Sequence, residues 1–366
     1  MFRWRKRFFI FLMTGIIACS FLTVSEPVWA VSQETELKLS LEEAVKRAIA
    51  RSHTVRLAEY NVEQGEISRE EAASKVNWTP LSGGNDEASR VFLSLVQQDI
   101  NLQVSKQDRI LEEDSIAYQV YQKYTEVLSA QEKLKAAEIA LEYAQYQHLA
   151  AQIGFSAGTV SWQNVKSAQV NYNNQESNLA QSHSNLEQSY VQLNELIGLN
   201  GKQRPVLTDD LTWSPLEVSD LDLEITRRLS GNPTLWKAQK SVELAELSLQ
   251  LYTVSGEVTG NNYRSRDLDI SKAELSAAQT KAQLQQSLRN TYASICSLQE
   301  QYNTQQQALK LAEEQYQGLL LKYEMGLIPK GDLLASQTDL SSKGQSLKAL
   351  VYQHELLKMK FAKPWV

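Results

Sequence analysis

Apolar residues recur at helical spacing along most of this chain, in stripes too narrow for an ordinary core helix. Between about Ala88 and Ile153 nothing breaks the pattern. Ile116, Val120, Tyr124, Val127, Leu128, Leu134, Ile139 and Leu141 form a seam, and Ala and Gln fill the rest. At ~1.5 Å per residue, a helix of roughly 65 residues reaches nearly 100 Å. A helix that long with so thin a seam needs neighbours along its whole length, as in a coiled coil.

Punctuation divides the rest. Ser40-Leu-Glu-Glu43 reads as a capping box that opens a first helix, broken at Ser52-His53 and resuming to about Val76. Trp78 to Asn85 reads as a loop, then the long helix follows. After an interruption at Gly154–Gly158, Ser161 can cap a return helix that runs to about Ile197-Gly198. Arg204-Pro205 to Ser214-Pro215 reads as a linker. A second split helix is predicted from Ser219-Asp-Leu-Asp222, with its break at Ser230-Gly231-Asn232-Pro233, to about Tyr252. A polar loop from Ser255 to Arg266, a long helix from Leu268 to Tyr323 and a last helix to about Phe361 complete the plan.

The plan occurs twice. A shift of 180 residues superposes Arg47 on Arg227, Val55 on Leu235 and Ala58 on Ala238. A shift of 168 superposes Phe155 on Tyr323, Gly158 on Gly326, Val160 on Ile328, Asn164 on Asp332 and Val165 on Leu333. The predicted class is therefore all-α: two tandem repeats of long antiparallel helical hairpins, covering residues 31–204 and 219–366, joined by a linker over 205–218.

The repeated phrase at the two hairpin ends is the main candidate site. Gly158 and Gly326 can take positive φ and end a helix sharply. Ser161 can cap the next helix, Pro329 suits a first turn, and Asn164 and Asp332 fall where a helix N-terminus favours an acceptor. These features alone make good helix-to-helix turns. They do not require Thr159-Val160 and Leu327-Ile328, which put apolar or β-branched residues on an exposed tip and point to a partner.

Composition narrows the function. The chain is 22% charged with a net charge of −6, and lacks the basic surface that nucleic-acid binding needs. His53, His148, His183 and His354 are scattered without metal-ligand spacing, and no phosphate loop or nucleophile elbow occurs, so no enzyme and no cofactor is predicted. The Tyr-rich face at Tyr118, Tyr121, Tyr124, Tyr143 and Tyr146 is read as interhelical packing, and Cys296 as a small buried apolar residue. At the N-terminus, Arg3, Arg5, Lys6 and Arg7 precede an apolar run from Phe8 to Val24 and a small-residue site at Val28-Trp29-Ala30. Residues 1–30 read as a secretory signal peptide. Processing at Ile16-Ile17-Ala18-Cys19, leaving a lipidated Cys19, and retention as an uncleaved anchor are the rival readings.

Three features together resemble the TolC family of outer membrane efflux proteins: the opening Leu39-Ser40-Leu41-Glu42-Glu43-Ala44-Val45, the Asn232-Pro233 break, and the two tips at Phe155–Val165 and Tyr323–Leu333. The resemblance spans about residues 35–361; in the first repeat Ser52-His53 stands where the family has Asn-Pro. It implies a homotrimer whose coiled-coil helices enclose a tunnel at the outer membrane or in the space beneath it. It also implies docking of the tips onto a membrane-fusion adaptor that joins an inner-membrane transporter. By position, the adaptor contacts would be Gly158, Thr159, Val160, Ser161, Gly326, Leu327, Ile328 and Pro329. The family also inserts a strand pair after each split helix to close a β-barrel. Here the first loop is too short, and the second has room for at most a stunted hairpin, Tyr252–Val258 with Thr259–Leu268. Vestigial or absent barrel strands are expected. An efflux duct and an exported, non-channel coiled-coil scaffold both fit.

Overall fold

A computed structural model describes residues 37–76, 86–254 and 260–366. The predicted signal peptide, Cys19 and the predicted Trp78–Asn85 loop lie outside the described residues. Among the described residues eight helices follow one another with two very short strands. The first half is β1 (Lys38–Leu39), α1 (Leu41–Arg51), α2 (His53–Ser74), α3 (Asp86–Ser156) and α4 (Trp162–Ile197). The second is β2 (Val206–Leu207), α5 (Leu221–Ser230), α6 (Pro233–Val254), α7 (Gly260–Glu324) and α8 (Lys330–Ala362). The helix lengths run 11, 22, 71 and 36 residues, then 10, 22, 65 and 33.

The caps fall where the polar punctuation put them. The Ser40 hydroxyl accepts from the Glu43 N–H at 3.2 Å, and Ser52, at the α1–α2 break, accepts from the Val55 N–H at 3.3 Å. In the second half Asp220, rather than Ser219, caps α5, and Asn232 caps α6 by accepting from the Leu235 N–H at 3.0 Å. A split helix lets its two pieces lie differently against the long hairpin. Each break sits beside a core cluster. Ala44, Ala48 and Val55 pack with Val120, Tyr124, Val127 and Leu193. Ile225, Leu229 and Leu235 pack with Leu288, Ile295 and Phe361. Tyr124 is fully buried, so part of the tyrosine face does pack between helices, whereas Cys296 is only half-buried.

Two expectations change. The second long helix begins at Gly260, not Leu268, so the predicted loop and stunted hairpin give way to helix at Tyr252–Val254 and Gly260–Leu268. Gly and Asn each cost a helix up to about 1 kcal/mol. Packing against α6 overrides that cost: the Arg266 guanidinium bonds Ser248 and lies 4.9 Å from the Tyr252 ring centroid. The helix bounds leave residues 75–85 between α2 and α3, and 255–259 between α6 and α7. Neither joint is long enough for the two strands of about 9–11 residues that a membrane-spanning hairpin needs.

The linker is also more structured than its composition suggests. β1 and β2 pair in parallel, Lys38 opposite Val206 and Leu39 opposite Leu207. The buried Tyr124 hydroxyl ties this seam: it donates to the Leu39 carbonyl at 3.3 Å and accepts from the Asp209 N–H at 3.1 Å. Burial raises its pKa, as expected for a phenol held neutral. The Asp209 carboxylate in turn accepts from the Leu41 N–H at 2.6 Å, at the start of α1. Replacing Tyr124 by Phe should therefore lower the unfolding free energy by about 1–3 kcal/mol through stranded polar groups. Urea titration checks this, and an unchanged midpoint would show that the bridge contributes nothing.

Candidate functional site

Both hairpin ends are closed by the same backbone device. At the first, the Thr159 N–H reaches back to the Gly154 carbonyl at 2.9 Å and the Gly158 N–H to Phe155 at 3.0 Å. At the second, Leu327 reaches Lys322 at 2.8 Å and Gly326 reaches Tyr323 at 2.8 Å. This is the Schellman pattern, which satisfies the last helical carbonyls with a left-handed residue at the turn. Gly158 has φ 74° and Gly326 has φ 72°. A Cβ at either would meet nothing within 4 Å, so φ alone demands glycine there. Ser161 caps α4, accepting from the Asn164 N–H at 3.2 Å. Pro329 stands just before α8 rather than in its first turn, and makes no side-chain cap; Asp332 is in that turn.

The expected contact residues do not all face outward. Thr159 is exposed and Leu327 is 68% exposed, whereas Val160 and Ile328 turn half inward. Val160 folds over the end of its own helix: a Cβ on Gly154 would lie 2.6 Å from Val160 Cγ2. Other side chains supply the exposed apolar surface. At the second end these are Leu321, Tyr323 and Met325. At the first, Phe155 and Trp162 form an exposed aromatic pair with ring centroids 5.5 Å apart, and the Lys166 ammonium lies 5.7 Å from the Trp162 ring. Sequence reasoning missed Trp162. Its signal was a tryptophan at the first helical position after the Ser161 cap.

The ends are not level. α8 runs antiparallel to α3, with Lys330 bonded to Glu142 at 3.2 Å and Gly331 so close to Tyr146 that a Cβ would sit 2.8 Å from its ring. From that level α3 continues to Ser156, while α8 has already reached its first residues. The first end therefore projects further, by on the order of 10 Å at 1.5 Å per residue. The two ends also differ in charge. No Asp or Glu occurs between Glu142 and Glu176 around the first, whereas Lys322, Glu324, Lys330 and Asp332 surround the second. Neither end gathers groups for covalent chemistry, and no cluster of metal-ligating side chains is found among the described residues.

Comparison with known proteins gives this geometry a context. Residues 94–199, covering most of α3 and all of α4, match the family model described as outer membrane efflux protein. The outer-membrane channel OprN superposes with a TM-score of 0.67 at 13% identity, over 89% of this chain and 90% of its own. The CmeC outer membrane channel of Campylobacter jejuni superposes with a TM-score of 0.65 at 13% identity, over 96% and 93%. The outer membrane protein VceC from Vibrio cholerae gives 0.64 at 14% identity, over 88% and 94%.

The chain has a TolC-like fold.

At such identities the likeness is one of fold, and no curated protein matches in sequence. In this TolC-like chain the matched segment includes the whole first hairpin end. The two turns can be tested directly. Gly158→Ala and Gly326→Ala should each cost about 1–2 kcal/mol, because a Cβ in the left-handed region is strained even in open space. Gly154→Ala should instead displace Val160. Thermal unfolding of the single variants distinguishes these effects, and an unaffected Gly158→Ala protein would remove the conformational argument.

Proposed function

We propose that this TolC-like chain is the duct subunit of an envelope export assembly and moves its substrate without covalent chemistry. Residues 1–30 direct export to the cell envelope. Residues 31–204 and 219–366 are its two repeats, linked through 205–218. Three copies associate side by side into a hollow homotrimer, and the hairpin ends dock a membrane-fusion adaptor joined to an inner-membrane transporter. The contact set centres on Gly158, Thr159, Val160, Ser161, Gly326, Leu327, Ile328 and Pro329, with Phe155 and Trp162 added by their exposure.

One observation carries this reading: two matched Schellman turns hold exposed apolar side chains at the extremities of a TolC-like fold. Exposed aromatic and aliphatic groups presented on rigid turns are the usual anchors of protein interfaces. Unpartnered apolar residues along α2 (Leu57, Tyr60, Ile67) and α7 (Leu268, Leu275) support lateral association. The short joints between α2 and α3, and between α6 and α7, favour a duct without its own closed β-barrel. They also favour the second reading, an exported coiled-coil scaffold that has no lumen.

Mass measurement and particle imaging of the purified mature protein separate the two. A hollow trimer is expected; a monomer or a solid dimer would establish the scaffold, and a closed barrel in the trimer would overturn the barrel-less duct. Replacing Gly158 and Gly326 together with Leu should abolish export activity while the protein itself is still secreted. Export that survives the double replacement would reduce the ends to simple turns. Trp162→Ala should weaken adaptor pull-down severalfold, with far-UV circular dichroism unchanged.

A further inference from the structure

His354, on α8, is fully buried, and neither ring nitrogen has a hydrogen-bond partner. Histidine is rarely left so, because a buried polar group without a partner carries its full desolvation cost. Its cover is the inter-repeat segment. Trp213 is stacked on Tyr302 of α7 at 3.7 Å between centroids with planes 4° apart, and its indole lies 4.3 Å from the His354 ring. Beside it, Lys358 of α8 donates to the Ser214 carbonyl at 2.8 Å.

We propose that His354 and Trp213 form an acid-released latch that fastens the inter-repeat segment to the α7/α8 hairpin. At neutral pH the imidazole is uncharged and the indole seals it. A second proton makes both ring nitrogens donors. Glu355 Oε1, 3.4 Å from Nδ1 and out of line, can take one of them after a small rotation. The other needs water, which the indole excludes. A cation on an indole face gains attraction, but a buried cation with an unbonded N–H loses more. The indole therefore has to leave.

The charges that face this ring are mixed. On α8, Glu355 favours the imidazolium and Lys358 opposes it. From α7 comes the Tyr302 phenol behind the indole; Tyr121 of α3 feels the nearby charges of Glu355 and Asp209. Burial is the largest influence and holds His354 below the ordinary histidine pKa. The sign follows: the folded form binds this proton less readily than the unfolded chain does. The closed state is then fully stable above about pH 6.5 and weakens as pH falls below it. The consequence is regulatory. Val206 to Asp209 stays pinned to the first repeat through β1 and Tyr124, so opening removes the inter-repeat segment's tie to the α7/α8 hairpin and leaves the direct packing of α8 on α3 in place. The inference stands on this geometry whether or not the chain forms a duct.

Difference fluorescence of the full mature chain, wild type minus Trp213→Phe, tests it between pH 7.5 and 4.5. The expected result is a red shift of the Trp213 emission with a one-proton midpoint below 6.5, while far-UV circular dichroism is constant. His354→Gln, which cannot become charged, should abolish the shift, and Glu355→Gln, which removes the acceptor that helps the buried imidazolium, should move its midpoint to higher pH. The latch is overturned by an absent shift, by an identical shift in His354→Gln, or by loss of helicity with the same midpoint. If His354→Gln does not fold, the proton spectrum of the wild-type histidines decides. An imidazole titrating below the others in step with the Trp213 shift supports the latch; one titrating without that shift refutes it.

Discussion

Everything in this fold depends on covering α3. A helix of 71 residues with a thin apolar seam gains little from packing on any one neighbour, and isolated it would have no tertiary reason to persist. The chain supplies neighbours along its length: α2 beside its beginning, α1 at the middle, α4 along its later half, and α6 and α8 from the second repeat. Ion pairs mark the inter-repeat contact. Asp108 meets Lys237, Asp114 meets Lys363, Glu132 meets Lys348, and Glu142 meets Lys330. Every carboxylate is on α3 and every ammonium is in the second repeat. Partly exposed pairs of this kind contribute little stability, but the order of Lys330, Lys348 and Lys363 along α8 and its C-cap, antiparallel to α3, penalises a slipped register. At Glu132 burial alone would raise the pKa; hydrogen bonds from Lys348 and Lys135 overcome it and hold the carboxyl low.

The inter-repeat segment completes the arrangement. Its first part joins the N-terminal strand and the buried Tyr124 hydroxyl; its second part places Trp213 and Leu216 against α7 and α8. Residues 205–218, mostly irregular backbone, thus staple one repeat to the other beside the two core clusters. The hairpin ends lie far from this staple, on turns that need only glycine and backbone hydrogen bonds. Rigid, apolar and exposed, they suit the docking role proposed for them.

Much of this was legible in the residue pattern. The long helices, both split helices, the duplication and the two glycine turns all followed from periodicity and punctuation, since each depends on residues within a few positions of one another. The resemblance to outer membrane efflux proteins extended that reading to a fold which the superpositions bear out. The tip residues were legible only as a set. Sequence spacing could not tell that Val160 folds inward while Trp162 stands out beside Phe155, because the Schellman turn decides those directions.

What the sequence by itself determined is local: where helices start and stop, which positions must take a left-handed φ, and which stripe of each helix is apolar. The tertiary structure alone decided the rest. It extended α7 back to Gly260 against its own propensity, paired two-residue strands 168 positions apart, set one hairpin end beyond the other, and closed an indole over an unpartnered imidazole. Each of these joins groups distant in the chain, whose energies exist only once the long helices have packed in register.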